Sequence, residues 1–504
     1  MALLPLTIPP GVYRNGTSYQ SQGRWYDANG VRWFEGTMRP IGGWFPLTLT
    51  PTAGVPAGTL IDLAGVPRGA VDWRTLGNVP WLAVGTHTKL YAYAYGQLYD
   101  ITPAGLVAGD QNATVVGGTS GYGDGPYGGG LYGTGSAYTQ DVPPTTWQLD
   151  SFGNYLVGVQ SKDGRFFSWT GVVTDIAIPV ASAPINNAAV VVTPERFVMV
   201  LGAGGNVKRV QWPEQETLTA WAITPTNSAG FLDVETNGRL VCGRVSRQQT
   251  LLWSDVDLHA LQYIGGDFVY SLSSLGENCG IVGPNAVAME NGVAFWMGSR
   301  GFFAYDGFVK PIPCEVSDYV FGSFNTQQRA KVFAVAEPQF NEIWWFYPSS
   351  ESIENDRYVV YNYRENHWSI GMLSRTAGVA RGTFPNPIYF DMNGMGYEHE
   401  TGSMRSGFLE YAESGPVELA PGDRTFMVRR VIPDERTLGQ TRVEMFAQLY
   451  PTATRQSSGV LNVREPTDVR LTGRQFAMRV TAFASGTDWR VGVHRLDVAP
   501  RGTR

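Results

Sequence analysis

The run Glu398-His399-Glu400 combines residue types that bind metal ions. On a β-strand, however, successive side chains point to opposite faces, so His399 would point away from both glutamates. The five histidines of the chain show no spacing typical of a zinc site. We therefore predict a structural histidine here and no metal site. The other four histidines are His87, His259, His367 and His494.

Carboxylates beside aromatic residues could form an acid/base pair of the kind that cleaves glycosidic bonds. Glu342, Asp356 and Asp391 stand in such positions. The chain has 44 acidic residues, which makes chance proximity the better interpretation. A Gly-x-Ser-x-Gly nucleophile elbow is absent from the sequence. The prediction is that the protein has no catalytic residues and is not an enzyme.

A glycine-rich segment spans residues 121–135. It lacks the Lys-Ser/Thr ending of a phosphate-binding loop, so we predict no nucleotide and no other cofactor. Tyr122, Tyr127 and Tyr132 recur at intervals of five residues and could make adhesive contacts with a partner. We predict a long surface loop within an insert at residues 117–138, bound to a partner or, as the alternative, part of a constriction.

The segment Ser161–Trp169 loosely resembles the Asp-box hairpin of sialidase propellers. In that motif the aspartate and glycine stabilise a β-turn and the aromatic residue packs into a blade. The resemblance implies a structural role for Asp163, Gly164 and Trp169.

These residues need a scaffold, and the sequence indicates one by repetition. Seven short segments rich in aromatic residues each run into a turn, with intervals of 29 to 76 residues. The longest interval contains the glycine-rich insert. A period of roughly 40 to 50 residues is typical of a four-stranded propeller blade. The segments are Leu90–Tyr93, Phe166–Trp169, Arg209–Trp212, Leu251–Trp253, Phe302–Tyr305, Tyr358–Tyr361 and Ile388–Phe390.

The chain is long enough for more than one domain, since it has 504 residues. Its 61 glycines and 31 prolines favour many short strands and turns over helices. We predict an all-β protein with an extended N-terminal arm at residues 1–45, a β-propeller at residues 46–402 and a smaller Arg-rich β-domain at residues 403–504. The last domain is predicted from alternating strands such as Arg442–Leu449 and Phe476–Phe483.

Charge is unevenly distributed. The net charge is −6, but residues 401–504 hold 15 arginines against 11 acidic residues, which leaves −10 for residues 1–400. An acidic majority argues against tight binding of nucleic-acid phosphates. Few charged residues, 16%, and many aromatic ones, 12%, indicate surface reserved for neighbouring subunits. We predict a homo-oligomer, and we expect Arg479, Arg490 and Arg495 to face protein partners.

Three cysteines lie too far apart for a metal motif and are too few for a disulfide framework, so we predict buried or reduced thiols. The sequence has no apolar stretch of the length of a membrane span and no secretion signal at Met1–Pro5. These features predict assembly in a cytoplasm and no membrane span.

The run Gly11–Pro40 resembles the opening of the tail nozzle proteins of short-tailed bacteriophages, also called tail tubular protein B or packaged-DNA stabilisation hub. In those proteins this segment begins with a Gly-rich stretch, contains Asn in its middle and ends with a basic residue and a proline. Trp253-Ser254-Asp255, followed by an apolar strand through Tyr263, is similar to their Trp-Ser-Asp blade.

The resemblance implies a structural protein of the virion tail. It would form a ring of six subunits at the distal end of the tail, bound to an adaptor ring above and to tail fibres at its sides. The genomic DNA would pass through the ring without specific binding, and an acidic channel suits this role because it repels phosphates. Two alternatives remain: a glycan-binding or glycan-cleaving propeller on a virion or cell surface, and a monomeric scaffold propeller.

Overall fold

A computed structural model describes residues 2–52, 54–119, 137–247, 249–266, 268–419 and 424–503. It confirms the predicted fold class: an all-β protein with a propeller, a second β-domain rich in arginine and an N-terminal arm. None of the described helices is long and apolar enough to cross a membrane.

The arm contributes five strands. They are β1 (Ala2–Pro5), β2 (Trp25–Asn29), β3 (Val31–Phe34), β4 (Thr37–Pro40) and β5 (Trp44–Pro46).

Six four-stranded antiparallel sheets follow, each built from consecutive strands. Blade 1 contains β6 (Pro67–Arg74), β7 (Pro80–Thr86), β8 (Leu90–Ala94) and β9 (Gln97–Asp100). A separate hairpin, β10 (Thr114–Thr119) and β11 (Ala137–Val142), precedes blade 2. Blade 2 contains β12 (Trp147–Phe152), β13 (Tyr155–Gln160), β14 (Phe166–Trp169) and β15 (Ile178–Pro179). Blade 3 contains β16 (Ala189–Val192), β17 (Val198–Leu201), β18 (Arg209–Trp212) and β19 (Gly230–Asp233).

The next three blades have the same strand order. Blade 4 contains β20 (Leu240–Ser246), β21 (Gln249–Ser254), β22 (Leu258–Tyr263) and β23 (Tyr270–Gly276). Blade 5 contains β24 (Val287–Glu290), β25 (Val293–Met297), β26 (Phe302–Tyr305) and β27 (Val309–Ile312). Blade 6 contains β28 (Phe333–Glu337), β29 (Glu342–Tyr347), β30 (Arg357–Asn362) and β31 (His367–Met372). The short helix α1 (Ser317–Phe321) and two 3-10 turns, Thr326–Lys331 and Pro338–Phe340, lie around blade 6, and a third, Ala203–Gly205, lies in blade 3.

The seventh blade closes the ring with a strand from the other end of the propeller sequence. Its first three strands are β32 (Ala377–Val379), β33 (Ile388–Phe390) and β34 (Gly396–His399). The fourth is β5, which pairs with β34 through Phe45 and Glu398. The first strand of blade 7 also contacts the first strand of blade 1. The protein therefore contains a closed propeller of seven blades.

Aromatic pairs fill the interface between each blade and the next, which explains the aromatic repeat in the sequence. Ring centroids of these pairs lie 4.8 to 6.4 Å apart, within the range in which aromatic rings attract one another. In order around the propeller, the pairs are Trp81–Trp169, Phe166–Trp221, Trp212–Tyr270, Trp253–Trp296, Phe302–Trp345, Phe346–Tyr389 and Tyr93–Phe384.

The remaining strands form a β-sandwich with the arm. They are β35 (Tyr411–Ser414), β36 (Val417–Glu418), β37 (Arg424–Ile432), β38 (Thr441–Gln448), β39 (Gln456–Asn462), β40 (Thr467–Gly473), β41 (Gln475–Ala482) and β42 (Arg495–Thr503). Sheet A has the order β1-β42-β37-β40, and sheet B has the order β2-β35-β41-β38-β39, with β36 beside β41. Alternate residues of both sheets, such as Val428 and Met445, share one buried core. The arm thus ties the sandwich to the propeller.

Candidate functional site

The hairpin β10–β11 stands apart from the blades, and its first residues, Thr114–Gly117, are exposed. It forms a two-stranded sheet of its own, with Thr114 opposite Val142. Val115 and Val116 point to opposite faces, yet both are about half exposed. An isolated two-stranded ribbon is only marginally stable in water. Tyr122, Tyr127 and Tyr132 lie outside the described residues, in the stretch that β10 and β11 flank.

A cluster of buried charges holds the base of this hairpin. Arg68 of β6 donates two hydrogen bonds to Glu354, at 2.8 and 2.6 Å. Lys331 donates to Glu354 at 2.9 Å and to Asn112, just before β10, at 2.7 Å. Arg68 also donates to the Gln111 carbonyl at 3.0 Å. The cluster fixes residues 111–112 to blades 1 and 6.

The environment of the cluster shifts the pKa values of its members. Burial, with the nearby Arg68 cation, lowers the pKa of Lys331 to about 8. Burial alone would raise the pKa of Glu354, but its hydrogen bond and charge interaction with Arg68 outweigh this effect and lower the pKa. Glu354 therefore stays ionised at neutral pH and balances one of the two cations.

Beside the hairpin lies a cavity of about 410 Å³. One wall comes from the hairpin, through Thr114, Val115 and Val142, and the rest from the ends of blades 2 to 5 and from residues 326–330. Apolar residues make up just over half of its lining, and the charged residues are two arginines, Arg239 and Arg329, and two aspartates, Asp141 and Asp255. The hairpin and this cavity together form the candidate functional site, a surface suited to binding an extended segment.

Hydrogen bonds close the central channel of the propeller. Arg244 of β20 donates to Gln148 of β12 at 3.1 Å, and Gln148 donates to Asn285 at 2.7 Å. Asn285 in turn donates to the Arg68 carbonyl at 3.1 Å. The cavity further along the channel measures only about 200 Å³ and is lined by small residues of the first strands. A DNA duplex, whose major groove alone is about 12 Å wide, does not fit this channel.

A second buried cluster lies where the arm closes the propeller. Arg32 of β3 donates to both oxygens of Glu400, at 2.8 and 2.7 Å. It also lies 3.0 Å from Glu342 and stacks on the Phe340 ring at 3.7 Å. Glu337 is buried nearby, and its Oε2 atom has no hydrogen-bond partner among the described residues. Three carboxyl groups thus surround one guanidinium.

Burial, reinforced by the neighbouring carboxylates, raises the pKa of two carboxyls in this second cluster. Burial raises the pKa of Glu337 to about 7, and Glu400 adds to the effect. Burial also raises the pKa of Glu342 to about 7, against the opposing charge of Arg32. The sequence patterns pointed to Glu342 and Glu400 separately, and to neither Arg32 nor Glu337. Their separation along the chain leaves no local pattern that would have connected them.

The three arginines expected to face partners lie in different parts of the sandwich. Arg479 lies on the outer face of sheet B, stacked over Tyr411 at 3.9 Å and 3.7 Å from Glu413. Arg490 lies in the loop before β42 and pairs with Asp488. Arg495 begins β42 in sheet A and is exposed. The structure does not bring the three together.

The candidate metal run divides among separate partners. Glu398 accepts a hydrogen bond from Asn386 at 2.8 Å, whereas Glu400 binds Arg32. His399 accepts from Arg375 at 3.0 Å and stacks on Trp44. The described part of the chain contains no group of three or more side chains arranged to hold a metal ion.

The other candidate carboxylates stabilise turns. Asp356 accepts two hydrogen bonds from Ser349, both at 2.7 Å. Asp391 accepts from the backbone of Asn393 and Met395 at 2.9 and 3.0 Å. Asp163, in the Asp-box-like hairpin, accepts from the backbone of Val107 at 2.9 Å.

One polar cavity is lined by Asp257 and His259, and Ser254, hydrogen-bonded to Asp257, completes the residue types of a nucleophilic triad. Asp257 lies 3.0 Å from His259 and accepts a hydrogen bond from Ser254 and another from Thr236 at 2.8 Å. The Ser254 hydroxyl therefore points to the carboxylate and not to the imidazole. In a triad the base must contact the nucleophile, so the arrangement is that of a turn stabilised by Asp257.

Comparisons with known proteins find similarity only at the level of the fold. No family model and no curated protein matches the chain. Virginiamycin B lyase from Staphylococcus aureus covers 68% of this chain and 97% of its own, at 7% identity and a TM-score of 0.42. The Pan2 WD40 domain of Neurospora crassa covers 70% of this chain and 94% of its own, at 9% identity and a TM-score of 0.37.

The similar structures correct one prediction. Three of them are of virginiamycin B or streptogramin B lyase, which is an enzyme. The prediction that this chain is not an enzyme was therefore wrong to exclude that class of protein, because folds of this kind occur in enzymes. At 7 to 8% identity the likeness concerns the fold alone and assigns no residue a role.

Proposed function

We propose that the chain is a structural protein of a phage virion that forms the distal tail nozzle, a ring of six copies around the path of the genome. The observation that carries the proposal is the hairpin β10–β11, which is fixed at its base by Arg68, Lys331 and Glu354 and exposed on both faces beyond it. A rigid base with an uncovered ribbon suits an element that binds a neighbouring protein.

The closed propeller channel determines where the DNA would pass. Because Arg244, Gln148 and Asn285 block that channel, the conduit has to lie between subunits, on the axis of the ring. The charge of −10 on residues 1–400 supports this arrangement, since an acidic wall repels the duplex and lets it slide. An adaptor ring, tail fibres and the passing DNA are the partners that the proposal names.

Exposed apolar side chains at the outer edge of blade 2 also support subunit contacts. Val172, Val173, Ile176 and Ile178 lie within seven residues and are 43 to 55% exposed. Outer strand β15 has only two residues and pairs with Phe167 and Ser168 of β14. Clustered exposed apolar residues mark interaction sites.

Negative-stain electron microscopy with sedimentation velocity tests the proposal on purified protein. We expect rings with sixfold symmetry and a central opening wide enough for a DNA duplex. A protein that remains monomeric at all concentrations, and on assembled tails, would contradict it.

A polar cavity favours a glycan-binding or glycan-cleaving propeller as the second candidate. This cavity measures about 470 Å³ and is lined by hydrogen-bonding groups of blades 3 and 4, among them Lys208, Glu235, Asn237 and Glu277. Such groups can bind sugar hydroxyls. Retention on immobilised glycans that is lost in the variant Glu235→Gln, without any ring, would support this candidate over the nozzle.

A further inference from the structure

The two sides of the β-sandwich are built differently. On one side both sheets end in arm strands, β1 in sheet A and β2 in sheet B. On the other side they end in β39 and β40, which are consecutive in the chain. In the described residues, β39 pairs only with β38, and β40 pairs only with β37. The second side therefore presents two free strand edges next to each other, which we call the β39–β40 edge.

Strand β39 lacks two of the features that usually protect an edge. Its sequence, Gln456–Asn462, contains no charged residue and no proline, although charges and prolines are what natural proteins place on such strands. Val460 points away from the core and is 60% exposed. At the bulge in this strand, Ser458 accepts a hydrogen bond from the Met445 amide at 3.0 Å, so β39 stays attached to the sheet. An uncovered edge of this kind is a template for another chain.

The charge around the edge indicates which surface covers it. Residues 455–474 contain four arginines and two acidic residues, and Arg455, Arg464 and Arg470 are exposed. Two copies of this edge would repel each other. Residues 1–400 of another copy carry −10 and would attract it. The complementary contact is therefore between different faces of two copies, which is the kind of contact that closes a ring.

We propose that the β39–β40 edge is the docking surface for a second copy of this chain, in a head-to-tail contact that leaves the arm side of the sandwich outside the interface. The proposal deepens the nozzle assignment and rests on it, because it states which surface joins neighbouring subunits of the ring.

The test uses Val460→Glu in the full chain, with Ile223→Glu as the matched control. Ile223 is 51% exposed and lies between β18 and β19, far from the edge in sequence. Glutamate at position 460 places on the edge a charge that the acidic residues of a neighbouring copy repel, without filling a core position. We expect the concentration for half-assembly to rise at least tenfold in Val460→Glu, with no change in the control or in the thermal midpoint of either variant.

A second variant, Arg464→Glu, tests the charge argument without altering the strand. We expect it to weaken assembly by a similar factor at low salt and by less at high salt, because screening reduces the attraction. Sedimentation velocity reports association, and negative-stain images report symmetry. Rings that form equally well in both variants would overturn the docking surface and leave the nozzle intact. If the unaltered protein forms assemblies without ring symmetry, and both variants fail to form them, the docking surface is supported and the nozzle is contradicted.

Discussion

Arg68 and Glu354 form a buried two-bond ion pair that joins the first strand of blade 1 to a loop of blade 6. The pair lies at the base of hairpin β10–β11, and Lys331 and Asn112 extend it to the chain that enters the hairpin. The position of the exposed ribbon therefore depends on charges that water does not reach.

Glu354→Gln should destabilise the protein strongly. The variant leaves the cations of Arg68 and Lys331 buried without a counterion, and breaking a buried pair typically costs about 3–5 kcal/mol. Denaturant unfolding measures the change, and hydrogen exchange should show faster opening at Thr114–Gly117. Asp100→Asn is the control, since its pair with Lys89 is exposed and should contribute about 1 kcal/mol or less. Equal effects in the two variants would contradict this role.

The contribution of Glu337 and Glu342 to stability should fall as the pH rises from about 4.5 to about 7, against the opposite contribution of buried histidines whose pKa values burial lowers. Glu337 and Glu342 each have a folded pKa of about 7, above the ordinary value of 4.5 that they regain on unfolding. In this window the folded state binds more protons, so the stabilisation present below pH 4.5 is lost as the pH approaches 7. The loss is about 3 kcal/mol per carboxyl.

Glu337→Gln removes one of these carboxyls while Glu342 and Glu400 remain beside Arg32. We expect a higher thermal midpoint than in the unaltered protein at pH 8, and a difference between the two that shrinks as the pH is lowered to about 4.5. Glu351→Gln, at an exposed position, is the control and should change neither. An unchanged pH profile in Glu337→Gln would show that the Glu337 carboxyl of the folded protein does not bind a proton between pH 4.5 and 7.

Deletion of residues 119–136, with a short turn joining the flanks, separates the two roles considered for the insert. We expect the propeller to keep its thermal midpoint, because the blades pair without the insert, and attachment of fibres to fail. Assembly and DNA retention are then assayed separately on tails. Normal attachment with leaking genomes would favour the constriction, and no defect in either assay would show a passive loop.

Gly85→Ala should disturb the interface between blades 1 and 2. A Cβ atom at this position would lie 2.3 Å from the Trp147 ring, which is fully buried. Overpacking of this kind costs about 1–3 kcal/mol, measured by denaturant unfolding. Gly301→Ala is the control, because a Cβ atom there meets nothing within 4 Å. A stability of Gly85→Ala equal to that of the control would mean that Trp147 can move aside.

The seven aromatic segments predicted the propeller because each lies in a different blade. Five of them are third strands, such as Phe166–Trp169, whereas Leu251–Trp253 and Ile388–Phe390 lie in second strands. This difference, together with the insert, makes the intervals uneven. The aromatic repeat is still recognisable because every interface between two blades contains a large aromatic side chain.

The buried charge clusters could not be predicted in the same way. Arg32 and Glu342 lie more than 300 residues apart, and they meet because the arm returns to blades 6 and 7. A sequence pattern reports neighbours along a strand, not the path by which a ring closes. The sequence signal available was weak: Arg32 and Glu342 each directly adjoin a run of apolar or aromatic residues, where an unpaired charge would be costly.

The pairing of Trp44–Pro46 with Gly396–His399 also orders events during synthesis. A ribosome makes about 350 residues after β5 before its partner exists, which takes roughly 20 to 70 s at 5–20 residues per second. Throughout that time the nascent chain is an open arc, and every product terminated before residue 396 lacks β34 and leaves β5 without its partner strand. The geometry that seals the ring therefore also distinguishes finished chains from truncated ones, since only a complete propeller sequence can bury its own N-terminal segment.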